Sequence, residues 1–259
     1  MGVLVVHVEV DAGVATITLD SPANRNALGR ALLADLSTAL DRATQPDVRV
    51  IVLTHTAPTF CAGADLKERS SSAPDSSPMV DAMRRLMDAD APTIASVKGA
   101  VRAGGIGLMA SCDLVVVAAA VDFAFTEVRI GVAPAIISVP ILRRANASLL
   151  RAPFLTGERF DAERARSMGL VTHVGSDVDD VDRIVADLCA GVLAGAPRAV
   201  AETKRLMRTV PELDRDEAFE RMRMLSEALF QGDDAAEGMA AFLEKRRPRW
   251  HVDPRSPET

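Results

Sequence analysis

The chain has 259 residues, 48% of them hydrophobic, and carries 30 Lys and Arg against 36 Asp and Glu for a formal net charge of −6. That is enough for one large domain or a domain with a helical appendage, and the acidic balance argues against a general binder of nucleic acid or anionic membrane. Aromatics are only 3% and Tyr is absent, so the core must come from Leu, Val, Ile, Ala and Met, and no tyrosine can serve as a general acid.

Leu4 to Val10 and Val14 to Leu19 alternate around Asp11-Ala12-Gly13, a hairpin pattern that Pro22 and Asn24 break. Leu28, Leu32, Leu36, Ala39, Leu40 and Ala43 then form a helical stripe, ended by Gln45-Pro46-Asp47. Val48 to Thr54 reads as a buried strand leading to a loop of small residues, Phe60-Cys61-Ala62-Gly63-Ala64-Asp65-Leu66-Lys67. Ser70 to Pro78 is a low-complexity surface segment. Val80 to Met87 reads as a helix and Thr93 to Val97 as a strand. A second glycine loop, Val97 to Gly107, runs into an apolar helix-like segment, Ile106 to Ser111. The strands Leu114 to Ala118 and Phe123 to Phe125 follow. This alternation points to right-handed βαβ-type units.

From about Asp180 strand signals vanish. Val181 to Leu193, Pro197 to Thr209, Asp214 to Phe230 and Ala235 to Lys245 read as helices, with Pro197 suited to a first helical position. Leu206, Met207, Met222, Leu225, Leu229, Met239 and Phe242 stripe this tail. Pro248 and residues 253–259 read as disordered. Cys61, Cys112 and Cys189 have no metal or redox spacing, and their odd number argues against a disulfide framework. Val3 to Val6 is too short for a signal peptide, and Leu114 to Val121 is too short to span a bilayer. The expectation is a soluble cytoplasmic protein.

Both glycine loops bring bare backbone N–H groups to the end of a strand. The second opens a helix, whose N-terminus favours an anion. Two such loops on neighbouring strands can aim two donors at one oxygen, as an oxyanion hole does, although on composition alone two ordinary glycine turns are the commoner explanation. Glu127 is flanked by Phe125, Val128 and Ile130. Burial there would raise its pKa as an acid–base group needs, whereas most glutamates at a helix start are solvated.

Phe60 to Lys67 resembles the signature loop of the crotonase superfamily, the enoyl-CoA hydratases and isomerases. Ser21-Pro22-Ala23-Asn24-Arg25-Asn26-Ala27-Leu28 resembles the family's Pro-x-x-Asn-Ala-Leu element. Gly99 to Asp113 is similar to its glycine loop and following Cys-Asp, Phe123 to Pro134 to its third active-site segment, and Phe242 to Arg246 to its C-terminal helix end. The resemblance runs in the family's order over nearly the whole chain. It implies an α/β fold: a crotonase-like spiral of ββα units over 1–190 with the active site, a helical oligomerisation region over 191–250 that builds trimers or hexamers, and a disordered tail over 251–259. It implies an acyl-CoA thioester as substrate, with coenzyme A as part of that substrate, no permanently bound cofactor and no metal.

By that resemblance the oxyanion donors fall at Ala64 and Gly104, where small residues let a thioester approach the backbone. Glu127 matches one of the two catalytic glutamates of typical hydratases. The further substrate-binding positions are Arg25, Ala62, Asp65, Leu66, Lys67, Gly105, Gly107, Pro134, Phe242 and Lys245. Arg25 and Lys67 would pair with phosphates of coenzyme A. Phe242 and Lys245 match an element that contacts the cofactor, in some relatives from a neighbouring subunit. Lys245-Arg246-Arg247 would equally suit a helix C-terminus with no ligand.

The sequence departs from the pattern at Gly107, where typical hydratases carry their other glutamate. Asp113 matches a structural position, and His7, His55, His173 and His251 fall outside the three matched active-site segments. Ile136 and Ile137 replace small residues and should reshape the acyl pocket. The expected function is enoyl-CoA hydratase with one catalytic Glu. The alternatives are a Δ3,Δ2-enoyl-CoA isomerase, which needs only one carboxylate, or a catalytically weak acyl-CoA-binding homologue.

Overall fold

From the third strand onward, consecutive strands divide themselves between two sheets in the computed structural model, which describes residues 4–56, 58–71 and 75–252. Strands β1 (Val6–Asp11) and β2 (Val14–Leu19) form an antiparallel hairpin. Its two-residue turn has Ala12 at φ 45° and Gly13 at φ 82°, the positive values that match the twist of the flanking strands. Helix α1 (Arg30–Ala43) follows. The next turn is β3 (Val50–His55), β4 (Thr59–Cys61), α2 (Leu66–Ser71) and α3 (Ser77–Asp88). Then come β5 (Thr93–Val97), β6 (Ala100–Arg102) and α4 (Gly104–Ala110), and after them β7 (Leu114–Ala118), β8 (Asp122–Ala124), a 3-10 turn (Glu127–Ile130) and α5 (Ala135–Arg144). The remaining elements are α6 (Ala147–Thr156), β9 (Arg159–Asp161), α7 (Ala162–Ser167), β10 (His173–Gly175), α8 (Val178–Ala194), α9 (Pro197–Thr209), α10 (Arg215–Phe230) and α11 (Asp233–Leu243).

The larger sheet has the order β1-β2-β3-β5-β7-β10 and the smaller β4-β6-β8-β9. In each of the three middle turns the first strand joins the larger sheet, the second joins the smaller, and a helix returns the chain. This is the ββα spiral. From β2 to β10 every pairing in the larger sheet is parallel. Parallel strands are covered on both faces, so β3, β5 and β7 are buried almost throughout and are mostly apolar, without the alternation of a half-exposed strand. Helix α8 lies on this sheet through Val181, Val185, Cys189 and Leu193, one buried side chain per turn. Helix α10 contrasts with it, having no buried residue.

Several elements escape sequence patterning. β4 and β6 are three residues each, too short for a period to register. Pro140 lies inside α5 and Pro153 inside α6, which hides both helices from a reading that treats proline as a breaker. Ser77 and Pro78, expected in a surface segment, open α3, and residues 72–74 of that segment lie outside the described residues. The expectation of disorder at Pro248 is overturned. The His251 N–H donates to the Pro248 carbonyl at 3.0 Å, and Trp250 Nε1 donates to the Ala194 carbonyl at 3.1 Å. His251 and Val252, placed in the expected disordered tail, are likewise described and half-buried, while residues 253–259 lie outside the described residues.

Candidate active site

Strands β4, β6 and β8 lie side by side and parallel, with Cys61 opposite Val101 and Val101 opposite Phe123. They therefore release their chains at one edge. The segments leaving there are Ala62–Asp65, Ala103–Gly104 and Phe125–Glu127. Neighbouring strands are about 4.8 Å apart, so the outer two exits are separated by about 10 Å.

The first two exits interlock. A Cβ placed on Gly63 would lie 2.9 Å from the Ala103 Cβ and 3.5 Å from the Gly104 nitrogen, so only glycine allows this contact. A Cβ placed on Gly104 would lie 3.8 Å from the Ala64 nitrogen. Ala103 has φ 45° and ψ −120°, a strained conformation for a residue with a side chain. Its N–H donates to the Ala124 carbonyl at 3.1 Å and its own carbonyl accepts the Ile106 N–H at 2.9 Å, so both sides of the bend are held. Helix α4 starts immediately after it. Among the described residues, neither the Ala64 nor the Gly104 N–H donates a backbone hydrogen bond.

The first loop is held from behind by the Ser21–Leu28 element. Asn26 is fully buried with φ 53°. Its Oδ1 accepts the Ser21 N–H at 2.6 Å and its Nδ2 donates to the Thr59 carbonyl at 3.0 Å. The Ala62 N–H donates to the Arg25 carbonyl at 3.0 Å, and the Leu28 N–H donates to the Gly63 carbonyl at 2.7 Å. Asn26 was part of a recognised motif, but its service as a splint is visible only in these hydrogen bonds. The Arg25, Leu66 and Lys67 side chains are exposed on this flank. Asp65 Oδ1 accepts the Lys67 and Glu68 N–H groups at 3.0 and 3.4 Å, so this carboxylate caps α2.

Glu127 occupies the third exit, at the start of the 3-10 turn. Its Oε2 is buried with no hydrogen-bond partner. Burial holds the carboxyl above the ordinary carboxylate range, partly offset by a hydrogen bond to its own backbone. Pro134 stands at the N-cap of α5. Gly105 lets α4 close on β4, since a Cβ there would lie 2.6 Å from the Cys61 Cβ. At Gly107 a Cβ would lie 2.6 Å from the Ile137 Cβ and 2.8 Å from Met83 Cε. The place of a second glutamate is therefore filled by apolar side chains. Ile137 is fully buried, whereas Ile136 only packs against the core surface.

Other titratable groups have structural partners. Asp113 Oδ2 accepts the Thr93 N–H at 2.8 Å and pairs with Lys204 Nζ at 2.8 Å. His55 Nε2 accepts the Lys98 N–H at 2.9 Å, which leaves Nδ1 to carry the proton and donate to the Thr56 carbonyl at 3.1 Å. Burial pushes the Cys61 and Cys112 thiols up to about 12 and Cys189 to about 11, so none is a thiolate at neutral pH.

Phe242 and Lys245 are not brought to these loops by any hydrogen bond or ion pair among the described residues. Phe242 is 83% exposed. The segment that follows α11 is held at the start of β3, where Arg49 Nη1 donates to the Trp250 carbonyl at 3.2 Å and Nη2 to the Gly195 carbonyl at 2.6 Å. That is the opposite end of β3 from the one that leads to the first loop.

Residues 9–253 match the family model described as enoyl-CoA hydratase/isomerase. The 2,3-dehydroadipyl-CoA hydratase of Escherichia coli is 32% identical over 242 residues, which cover 91% of this chain and 94% of the relative. The methylmalonyl-CoA decarboxylase of the same organism is 30% identical over 249 residues, covering 92% and 94%. An enoyl-CoA hydratase from Mycobacterium smegmatis, solved by crystallography, superposes with a TM-score of 0.89 at 31% identity, covering 96% of this chain and 99% of that one. With a crotonase spiral and a family match over most of its length, the chain belongs to the enoyl-CoA hydratase/isomerase family.

Proposed function

We propose that this acyl-CoA enzyme holds the thioester oxygen on the N–H groups of Ala64 and Gly104 and moves a proton with Glu127. The observation that carries this reading is the buried, unpartnered Oε2 of Glu127, on the strand exit beside two exits whose amides are unused. Negative charge grows on the thioester oxygen when a proton leaves the α-carbon or when water adds at the β-carbon. Two preorganised donors stabilise that enolate, each by about 3–4 kcal/mol. Burial raises the Glu127 pKa, so this carboxyl holds a proton more readily than a solvated one, as a group that both takes and gives a proton needs. Arg25 and Lys67, exposed on the β4 flank, would meet the phosphates of coenzyme A.

Hydration of a 2-enoyl-CoA is the first reading, supported by relatives named as hydratases. The water oxygen bonds to the β-carbon, its proton passes to Glu127, and a proton from Glu127 reaches the α-carbon. Isomerisation is the second reading, favoured by the missing carboxylate at Gly107. Glu127 then takes a proton from the α-carbon of a 3-enoyl-CoA and returns it to the γ-carbon, which leaves the 2-enoyl-CoA. The test incubates the protein separately with a 2-enoyl-CoA and a 3-enoyl-CoA and follows the conjugated thioester by absorbance. Loss of that absorbance from the first supports hydration, and its gain from the second supports isomerisation. Binding of both without turnover would establish the weak-binder alternative instead.

A further inference from the structure

Gly104 and Gly107 are three residues apart and share one face of α4. A Cβ on Gly104 would meet Leu28 Cδ1 at 3.0 Å and Met79 Sδ at 3.4 Å. One turn further, a Cβ on Gly107 would meet Ile137 and Met83 at 2.6 and 2.8 Å. Met79 and Met83 are four residues apart on α3, so they lie one above the other along this face. All four side chains are at most 6% exposed, and none carries an N–H or O–H donor. The direction of an acyl chain along this wall follows from the strand order. The cations Arg25 and Lys67 stand on the β4 side of the two amides, whereas Glu127 leaves β8 and α5, which bears Ile137, packs on α4 beyond them. A thioester held at the amides would send its coenzyme A portion toward the first and its acyl carbons toward the second.

We propose that Ile137, backed by Met83, sets the acyl specificity of this site. It closes the space beside Gly107 where a second acid group would stand, so the site accepts thioesters whose chain is hydrocarbon beyond the β-carbon and rejects chains that carry a carboxylate there. A carboxylate against Leu28, Met79, Met83 and Ile137 would lose its water and find no donor in exchange. The methionines can change rotamer to suit chains of different width, but the β-branched Ile137 is stiff and so fixes the limit. This inference rests on the reading that the Ala64 and Gly104 amides hold the thioester. It does not depend on which reaction follows.

The test is calorimetric binding of 5-methylhexanoyl-CoA and glutaryl-CoA, which match in length and end in an isopropyl group or a carboxylate. Both are saturated, so neither measures the proton chemistry of Glu127. The wild-type protein should bind the first at least about tenfold tighter, in line with the discrimination an apolar pocket gives. In Ile137→Ala water can enter, and the ratio should fall by about tenfold, with a smaller fall in Ile137→Val. Circular dichroism melting reports whether each variant is folded. If Ile137→Ala does not fold, the wild-type ratio and Ile137→Val decide the matter. A wild-type ratio within twofold of one, or a ratio unchanged in folded variants, overturns the role of Ile137 and leaves the amide site standing. Failure of both thioesters to bind overturns the amide site and this inference together.

Discussion

The Lys204 ammonium lies 2.8 Å from the Asp113 carboxylate and also donates to the carbonyls of Leu86 and Ala91, at 3.3 and 3.1 Å. One cation from α9 thereby ties the residue before β7 to the end of α3 and the segment that leads from it into β5. The Lys204 side chain is 5% exposed and that of Asp113 is 30% exposed, so solvent screens only part of the pair. Lys204→Met should destabilise the fold by about 2–3 kcal/mol, below the full cost of orphaning a wholly buried charge. The measurement is urea unfolding. Adding Asp113→Asn should recover part of the loss, and full additivity of the two changes would show that the pair is not coupled.

The junction of the two glycine loops yields an asymmetric pair of expectations. Gly63 has φ 90° and almost touches Ala103, which itself has φ 45°. Gly63→Ala should lower stability by about 2 kcal/mol or more, since it adds both strain and a clash. Ala103→Gly should leave stability within about 1 kcal/mol, because relief of strain offsets the added chain entropy. The same change should lower kcat more than it raises KM, by loosening the Gly104 amide. Thermal melts and steady-state kinetics on the two variants check this.

Glu127→Gln should reduce turnover by roughly 10²–10⁴, the usual worth of one positioned proton-transfer group. Acyl-CoA binding should hold within a few-fold, because the oxygen is held by backbone. Since burial raises the Glu127 pKa, the acid limb of the rate profile should lie above the ordinary carboxylate range, with rate rising as Glu127 becomes a base. The sign for stability is opposite. A raised folded-state pKa favours the protonated carboxyl, so its contribution is full at low pH and fades as pH climbs through the folded pKa. The melting temperature of Glu127→Gln relative to wild type should therefore rise over that interval, and a difference that is flat with pH would contradict it.

Gly107→Glu alone should impair folding, because Ile137 and Met83 already fill the required space. Gly107→Glu combined with Ile137→Ala makes room. If the site then holds water between two carboxylates, hydration should increase relative to isomerisation. Parallel assays with 2-enoyl- and 3-enoyl-CoA substrates read that ratio.

Phe219, Phe230 and Met224 on α10 are 71%, 68% and 59% exposed. A helix with no buried residue and this much apolar surface has the character of an interface. A trimer or hexamer is the expected assembly, and light scattering at micromolar concentration should report it. Phe219→Asp with Phe230→Asp should shift the population to smaller species, and a wild-type monomer would refute the expectation.

Legibility in the sequence followed the physics of each element. Thr93–Val97, Leu114–Ala118 and Pro197–Thr209 match expectation end to end, because a buried parallel strand and a proline-started helix each leave a local signal. β4 and β6 leave none, since three-residue strands are held by pairing with neighbours. Glu127 was singled out by its match to the family's glutamate, since its flanks alone left a solvated side chain the commoner reading, and its burial is a matter of tertiary packing. The contact between Gly107 and Ile137 was beyond reach, because no local pattern tells which side chain thirty residues away fills the space a glycine leaves.

The grip of Arg49 on Trp250 bears on the timing of folding during synthesis. The two residues are 201 positions apart. At about 5–20 residues per second, roughly 10–40 s separate their appearance on the ribosome. For that interval the hairpin and the first turns of the spiral can form and Arg49 can reach the Gly195 carbonyl, but its bond to Trp250 is missing and the entrance to β3 lacks that cover. Closing that entrance waits for a long loop to be drawn in, at a cost in entropy that only late contacts repay. A nascent chain stalled before residue 250 should therefore expose this end of the larger sheet to protease while the opposite end, at the glycine loops, is already protected.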